Sequence, residues 1–398
     1  MSVQAHQQPA SVSAIFFALG LGGFAIGTAE FAAMSLVPMI ARDLGISAPE
    51  AGHAIVTYAA GVCVGAPTIA LFSAKVSRRT MLIGMMLLYM IGNGLSALAP
   101  NYWTLLLCRF ITGLPHGAYF GIAGVVASSL VPPHRRSQAV GRVVLGLTIA
   151  TIGGVPMANL IGQAVGWRWA FVLIAMLSLC TAVLVATFAP RDPPRHDASI
   201  MAELDALRRP QVWLTLGIGA VGFGSVFCVY TYLASIMLEV THTAPTAVPV
   251  MLAVFGAGLT LGTLVCAWLA DRRMMPTIGG VLLVEAASMA GFPSATHDIW
   301  SLGAIVFSIG CGGGLATVVQ SRLLEVATGA EGFAAALNQS AFNIANAVGP
   351  YLGGLAIAAG LGWTSVGWVG LALALGGFAI WLVSVAEDAR TRRVTQGQ

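Results

Sequence analysis

Twelve long apolar runs, separated by short polar segments, constrain the fold of this chain more than any other feature of its sequence. Each run is long enough to cross a bilayer as a helix, which takes roughly 17–25 residues. The runs lie at about 14–40, 51–73, 80–98, 102–130, 139–163, 168–189, 211–238, 247–270, 276–294, 299–324, 332–358 and 364–386. Backbone groups in lipid must be hydrogen-bonded by the protein itself, and a helix does this within one segment. The sequence therefore predicts an all-α membrane protein with twelve transmembrane helices.

The composition agrees with this expectation. Hydrophobic residues make up 57% of the 398 residues and charged residues only 9%, whereas about a quarter of the residues in a soluble protein are charged. The six cysteines all lie within apolar runs, and none has the spacing of a zinc or redox motif. We therefore expect no metal ion and no cofactor.

The basic residues indicate the orientation. If the N-terminus is cytoplasmic, sixteen of the nineteen Lys and Arg residues fall on the cytoplasmic side. Only Arg42 and Arg168 fall in outside loops, and Arg109 lies within a span. This asymmetry is the positive-inside pattern, and it predicts that both termini are cytoplasmic. The basic net charge of +4 is thus a signal of topology and gives no reason to expect a nucleic-acid partner.

The chain divides into two similar halves. A polar segment near its midpoint predicts an N-terminal six-helix bundle at 1–189, a cytoplasmic linker at 190–210 and a C-terminal six-helix bundle at 211–398. GGVPMANLIGQAVGW at 153–167 has a counterpart in AVGPYLGGLAIAAGLGW at 347–363, so that Pro156 corresponds to Pro350. Internal repeats of this kind are typical of secondary transporters, whose substrate site lies between the repeats near the bilayer midplane.

Several motifs, in order along nearly the whole chain, resemble those of the major facilitator superfamily, in its twelve-span drug:proton antiporter branch. They are FAIGTAEF (24–31), CRFITGLPHGAYFG (108–121), GLTIATIGGVPMANLIG (146–162), GWRWAF (166–171), VYTYLASIM (229–237) and LNQSAFNIANAVGPYLGG (337–354). Within that branch the chain is similar to bacterial arabinose-efflux-permease-like inner-membrane transporters. The resemblance implies two pseudo-symmetric bundles around a central cavity, lined in part by spans one and four, and a monomeric protein in the bacterial inner membrane.

The loops that gate superfamily members are only partly retained. Between spans two and three, LFSAKVSRR has Ala74 where the superfamily has an acidic residue, while Arg78 and Arg79 keep the basic part. The related loop in the second half, WLADRR, retains Asp271 and Arg272. We expect these four charged residues, together with Pro156 and Pro350 on spans five and eleven, to take part in gating and conformational change.

Glu30 and Arg109 are the candidates for proton coupling. A charge at membrane depth is costly, so it usually faces a wet cavity or a partner. At 1.5 Å per residue, Glu30 lies about 15 Å and Arg109 about 10 Å below the outer surface, which makes Arg109 the expected partner. His116 follows two helical turns later on the same face and could relay a proton. The alternatives are a static ion pair that locks two helices and a neutral core histidine.

Polar side chains within the spans are candidates for substrate contacts. Each could instead form an interhelical hydrogen bond, which contributes about 0.6 kcal/mol in lipid. The candidates are Asn159, Tyr119, Tyr230, Tyr232, Gln320, Asn338, Gln339, Asn343 and Asn346. Glu285 in span nine is expected to be a protonated or locally paired carboxyl of the outer scaffold. Gly113, Gly117 and Gly121 in span four have the spacing that lets helices approach closely.

Three functions are compatible with these residues. The first is proton-coupled export of small neutral or amphipathic solutes such as sugars, nucleosides or amphenicol-like drugs, by alternating access. The second is a uniporter or importer in which Glu30 and Arg109 only bind substrate or lock the fold. The third is an intramembrane enzyme acting on lipids, which the lack of an HExxH or GxSxG motif disfavours.

Overall fold

The computed structural model describes residues 12–73, 76–132, 136–190, 208–327 and 331–396, and every element within these ranges is a helix. We number the membrane-crossing helices α1 to α12. The end of the bundle at which α1 begins is called the proximal end, and the opposite end is called the distal end. The helices of the first half are α1 (Val12–Ser35), α2 (Ala48–Ser73), α3 (Arg78–Leu98), α4 (Tyr102–Ser129), α5 (Arg136–Ile149 continued by Val155–Val165) and α6 (Trp167–Phe188).

The second half repeats this arrangement. Its helices are α7 (Pro210–Glu239), α8 (247–272), α9 (274–295), α10 (Ile299–Val326), α11 (Glu331–Ala358) and α12 (Ser365–Gln396). Helices α8 and α9 form one continuous element of 49 residues, Ala247–Ala295, with non-helical backbone angles at Arg273. At 1.5 Å per residue this element is about 74 Å long, more than twice the roughly 30 Å of a bilayer core. It therefore crosses twice, with its kink at the proximal end.

The twelve predicted spans are confirmed, with one change at the end of the first. The run at 14–40 is divided: α1 ends at Ser35, and a short helix, Val37–Leu44, continues it with Pro38 in its first turn. Proline is tolerated there because the first N–H groups of a helix have no partner within it. Gly45 ends the short helix with φ of 63°, a left-handed conformation that glycine adopts without strain.

Several spans are interrupted near their middle. Helix α4 breaks between Gly113 and His116, where Pro115 lacks the N–H that would continue the hydrogen-bond ladder. Helix α5 has a π-helical turn at Ala150–Gly154, directly before Pro156, and α7 has one at Ile218–Gly222. Such turns are rare and occur mostly at functional sites. They lie at the depth where the two halves meet.

Small residues bring α2 and α4 together. A methyl group added at Gly117 would lie 2.8 Å from Cβ of Ala66 and 3.4 Å from Cγ1 of Val62. At Gly113 it would lie 3.0 Å from backbone atoms of Tyr58 and Val62, whereas at Gly121 it would meet nothing within 4 Å. Two of the three glycines of span four thus make the predicted close approach, and that approach holds Tyr58 beside α4.

Candidate functional site

Glu30 lies where the two halves of the protein meet. Its side chain is only 8% exposed. Its Oε1 accepts a hydrogen bond of 2.9 Å from Nδ2 of Asn346, which α11 contributes from the other half. A carboxyl group inside the membrane is thus bonded across the interface between α1 and α11.

Arg109 lies beside Glu30 but does not form the expected ion pair with it. The guanidinium is completely buried and lies over the ring of Tyr58, 4.3 Å from its centroid, and 5.3 Å from that of Phe171. Its Nη2 donates to the carbonyl of Ala29 at 3.5 Å. The expectation of a direct pair is corrected because two aromatic faces and a backbone carbonyl hold this cation, while the carboxyl turns to Asn346. Arg109 still attracts Glu30 electrostatically through space.

A chain of hydrogen bonds extends from the ring of Tyr58 through the first half. The Tyr58 hydroxyl lies 2.9 Å from Nδ1 of His116 and 2.8 Å from the hydroxyl of Tyr89. The hydroxyl of Tyr89 in turn donates to the carbonyl of Ile26 at 3.4 Å. His116 and Arg109 therefore both contact Tyr58, as their spacing predicts, and the chain joins α1, α2, α3 and α4.

An aromatic cluster covers the other side of Glu30. Phe31 packs against Phe227 and edge-on against Tyr230, with centroids 6.0 and 5.7 Å apart, so that α1 meets α7. Tyr230 also lies 4.1 Å from the ring of Phe255 on α8. The hydroxyl of Tyr230 is buried and has no hydrogen-bond partner in the part of the chain that the structure describes. This cluster gives the interface an apolar wall with one unused polar group.

Amide side chains of α11 continue the layer towards the proximal end. Asn343 donates to the carbonyl of Gln339 at 2.9 Å, and Asn338 donates to the side chain of Gln320 on α10. Asn338, Asn343 and Asn346 are all buried, and each has a side-chain oxygen that no described donor reaches. The α11 candidates and Gln320 therefore form one connected set of amides beside Glu30.

Three other substrate candidates are occupied by helix packing. The hydroxyl of Tyr119 donates to the carbonyl of Leu19 at 2.8 Å, and Asn159 donates to that of Ser35 at 3.0 Å. Tyr232 donates to the carbonyl of Pro350 at 2.9 Å. Their geometry favours the alternative of interhelical hydrogen bonds, and it gives Pro350 a contact that ties α11 to α7.

The charged gating candidates contact their own halves. Arg79 donates to the carbonyl of Ala186 on α6, and Arg78 lies beside it around a cavity of about 30 Å³ at the proximal end. Asp271 and Arg272 are exposed beside the kink that joins α8 to α9, with Arg272 stacked 3.7 Å over Trp268.

Arg322 corrects the sequence analysis, which counted it among the cytoplasmic loop residues. It lies inside α10, is 7% exposed, and bonds Asp388 of α12 at 2.6 Å and Glu325 at 3.0 Å. The apolar run at 299–324 ends close to this residue, so hydropathy could not place it inside or outside the helix. The ion pair fixes α10 to α12 within the second half.

Sequence reasoning also missed Tyr58 and Tyr89. Their polar hydroxyls lie deep within spans, which is the same signal that singled out Glu30. Phe171 carried no such signal, because a phenylalanine in a span is ordinary. Its contact with Arg109 depends on how α6 packs.

The halves also touch on the distal side of Glu30. Gln163 of α5 donates to the carbonyl of Pro245 at 2.8 Å, across the interface. Gly256 of α8 packs on the backbone of Thr151, in the π-helical turn of α5. The ring of His53, bonded to the hydroxyl of Tyr102, lies 6.2 Å from that of Tyr351. The distal side of the interface is therefore closed in this structure.

A polar cluster fixes the distal ends of the first half. Arg168 bonds the carboxylate of Asp43 and donates to the carbonyl of Ala99 at 3.1 Å, and Trp167 Nε1 donates to Asp43 at 3.1 Å. The hydrogen bond from the Arg168 guanidinium holds the pKa of Asp43 below its ordinary value. The cluster joins α1, α3 and α6 into one unit.

The fold, the internal repeat and the buried acid at the interface agree with a comparison to known families. The model of the Major Facilitator Superfamily matches residues 19–330. The chain belongs to this superfamily. It is a multi-pass membrane transporter rather than an enzyme, as the sequence motifs indicated.

Superfamily members of named function cover almost the same length. The inner membrane transport protein YdhP of Escherichia coli is 40% identical over 95% of this chain and 97% of its own. The chloramphenicol resistance protein of Streptomyces lividans is 30% identical, over 84% of this chain and 86% of its own. A probable sugar efflux transporter of Haemophilus influenzae is 29% identical, over 92% of each. The solved structure of the nucleoside transporter NupG shares the fold, with a TM-score of 0.75 and 12% identity over 93% of this chain and 99% of NupG.

Proposed function

We propose that this protein is a proton-driven exporter of small neutral or amphipathic organic solutes. It acts as a monomer in the bacterial inner membrane with both termini cytoplasmic, and it works by alternating access. The observation that carries the proposal is the hydrogen bond between Glu30 and Asn346. It joins the one titratable carboxyl at the interface of the described halves to the half that must move away.

The bond links protonation to conformation. Glu30 is buried while the distal side is closed, and its partner lies on α11. When the halves separate on the distal side, the bond breaks and the carboxyl meets water, where it can exchange a proton. A proton that binds one conformation better than the other shifts the equilibrium between the two. Glu30 therefore can couple proton exchange to the rocking of the halves.

The position of Arg109 supports this role. A direct pair with arginine would favour the ionised carboxyl and oppose protonation. The guanidinium instead stacks on Tyr58 and donates to Ala29, beside Glu30. It attracts the ionised carboxyl without binding it, and Tyr58 and His116 hold the ring that supports it.

The wall around Glu30 supports the choice of substrate class. Phe31, Tyr230 and Phe255 offer aromatic surface, and the amides of α11 offer donors and acceptors without charge. Such a lining suits uncharged solutes with one apolar face, since a pocket binds through apolar contact and a few placed polar groups. The names of two relatives, a chloramphenicol resistance protein and a probable sugar efflux transporter, agree with this class.

Each half has contacts that keep it rigid while it moves. The Arg168–Asp43 cluster fixes the first half, and the Arg322–Asp388 pair fixes the second. We propose that 1–189 and 211–398 move as bundles, joined by the linker at 190–210. One proton entering down the membrane potential supplies about 2.3 kcal/mol per 100 mV, in addition to any pH gradient.

Flux into vesicles tests the proposal, with chloramphenicol and arabinose as probes. An imposed pH gradient should drive uptake by wild-type protein into inverted vesicles. Glu30→Gln should abolish gradient-driven uptake but retain exchange of labelled for unlabelled solute. Glu239→Gln, at an exposed position at the end of α7, is the matched control and should behave as wild type. Flux that is indifferent to the gradient, in wild type and Glu30→Gln alike, would favour the facilitator without proton coupling.

A further inference from the structure

Glu285 is a second buried acid that the proposed coupling does not use. It lies on α9, inside the second half, and is completely buried. Its Oε2 lies 3.1 Å from Oγ of Ser225 on α7, and its Oε1 has no hydrogen-bond partner among the described residues. A group placed so deep must be held in one protonation state by its surroundings.

The hydrogen-bond geometry indicates which state this is. The Ser225 hydroxyl lies 2.7 Å from the carbonyl of Gly222, a group that can only accept. A hydroxyl has a single proton, and the shorter contact directs it to Gly222. The contact between Ser225 and Glu285 is then a hydrogen bond only if the carboxyl supplies its own proton.

The electrostatic surroundings agree with a neutral carboxyl. Glu285 has no salt bridge with any described residue, and the titratable group that it acts on is the Cys266 thiol of α8. An ionised carboxylate buried without a cation carries a large desolvation penalty, which protonation removes.

The carboxyl lies where two helices are interrupted. Ser225 and Gly222 flank the break in α7 that follows its π-helical turn. On the other side, the carboxyl packs against the backbone at Gly312, where α10 is broken between Cys311 and Gly314. A methyl group at Gly312 would lie 2.6 Å from Cγ of Glu285. The side chain of α9 therefore bridges both interruptions.

We propose that Glu285 remains a neutral carboxylic acid throughout transport and is a positioning residue. It donates to Ser225 and thereby holds the broken segments of α7 and α10 in register. Tyr230 follows Ser225 on the same segment of α7, and Gln320 lies on the proximal segment of α10. Glu285 thus sets the side chains of the second half that face the interface. The inference does not depend on the coupling role of Glu30.

Infrared spectroscopy and transport kinetics test it together. The difference spectrum between wild type and Glu285→Gln at pH 8 should show loss of a protonated-acid carbonyl band that shifts in heavy water. Glu285→Gln should retain the wild-type maximal exchange rate within about twofold and the same dependence on the pH gradient, since its amide can also donate to Ser225. Glu285→Leu and Ser225→Ala should each lower the maximal rate about tenfold, because a buried polar group loses its partner.

Two results would overturn the inference. One is a carboxylate band, in place of the acid band, that disappears in Glu285→Gln. The other is a Glu285→Gln protein that folds but loses transport as completely as Glu285→Leu. If Glu285→Leu does not fold, the spectrum and the Gln variant still decide. Failure of Glu30 as the coupling group would change the gradient dependence of Glu30→Gln and leave all of these outcomes as stated.

Discussion

Replacing Gly256 with alanine should push the two halves apart on the distal side. The added methyl would lie 2.8 Å from both the carbonyl carbon and the oxygen of Thr151, and 3.0 Å from the nitrogen of Ile152. Carbon atoms in contact prefer about 3.5–4.0 Å, so α8 must retreat by roughly 0.7 Å from α5. All three atoms are backbone, and no side chain can rotate away to make room.

The magnitude follows from the cost of overpacking. Forcing a methyl into a close-packed interface costs about 1–3 kcal/mol, which changes an equilibrium between two states roughly 5- to 150-fold. The penalty applies only to the conformation in which Gly256 lies on Thr151. The variant should therefore populate a conformation with a wider distal side.

Pulsed electron paramagnetic resonance measures this directly. Spin labels at Pro100 and Leu361, exposed on the distal loops of the two halves, report their separation. Gly256→Ala should transfer population to longer distances. Gly280→Ala is the matched control, because a methyl there meets nothing within 4 Å. Identical distance distributions for the two variants and wild type would refute the reasoning.

Three further predictions concern single contacts. Asn346→Ala should raise the fraction of protein with an open distal side, seen with the same labels, since it removes the bond to Glu30; an unchanged distribution would contradict this. Lowering the pH below the ordinary range of aspartate should lower the apparent melting temperature of wild type more than that of Arg168→Gln. The depressed pKa of Asp43 contributes stability above the unfolded pKa that is lost as pH falls through the folded one, and equal pH profiles would count against it. Asp388→Asn should destabilise the second half by about 3 kcal/mol in thermal unfolding, because the buried guanidinium of α10 loses a partner; a melting temperature equal to wild type would exclude that role.

The sequence predicts most of this fold because lipid leaves few alternatives. Run lengths determine the twelve helices, and the motif order identifies the family. The divided first span and the kink at Arg273 were less accessible, since both depend on local backbone geometry within continuous helical sequence. Hydropathy sees only the average of a window.

The site was predictable in its members and less so in its contacts. Depth alone singled out Glu30 and Arg109 as groups in need of partners. It could not choose between the carboxyl and the aromatic faces of Tyr58 and Phe171 for the guanidinium, because that depends on how α2 and α6 pack. Nor could it pair Glu30 with Asn346, which lies 316 residues away in the chain.

The central claim is that Glu30 is the group that exchanges a proton as substrate binds. Proton release in weakly buffered detergent solution tests it most directly, on addition of a solute that the vesicle assay identifies as transported. Wild-type protein should release protons on binding, and Glu30→Gln should bind the same solute without releasing any. Equal proton release from both proteins, or binding by wild type with none, would contradict the account.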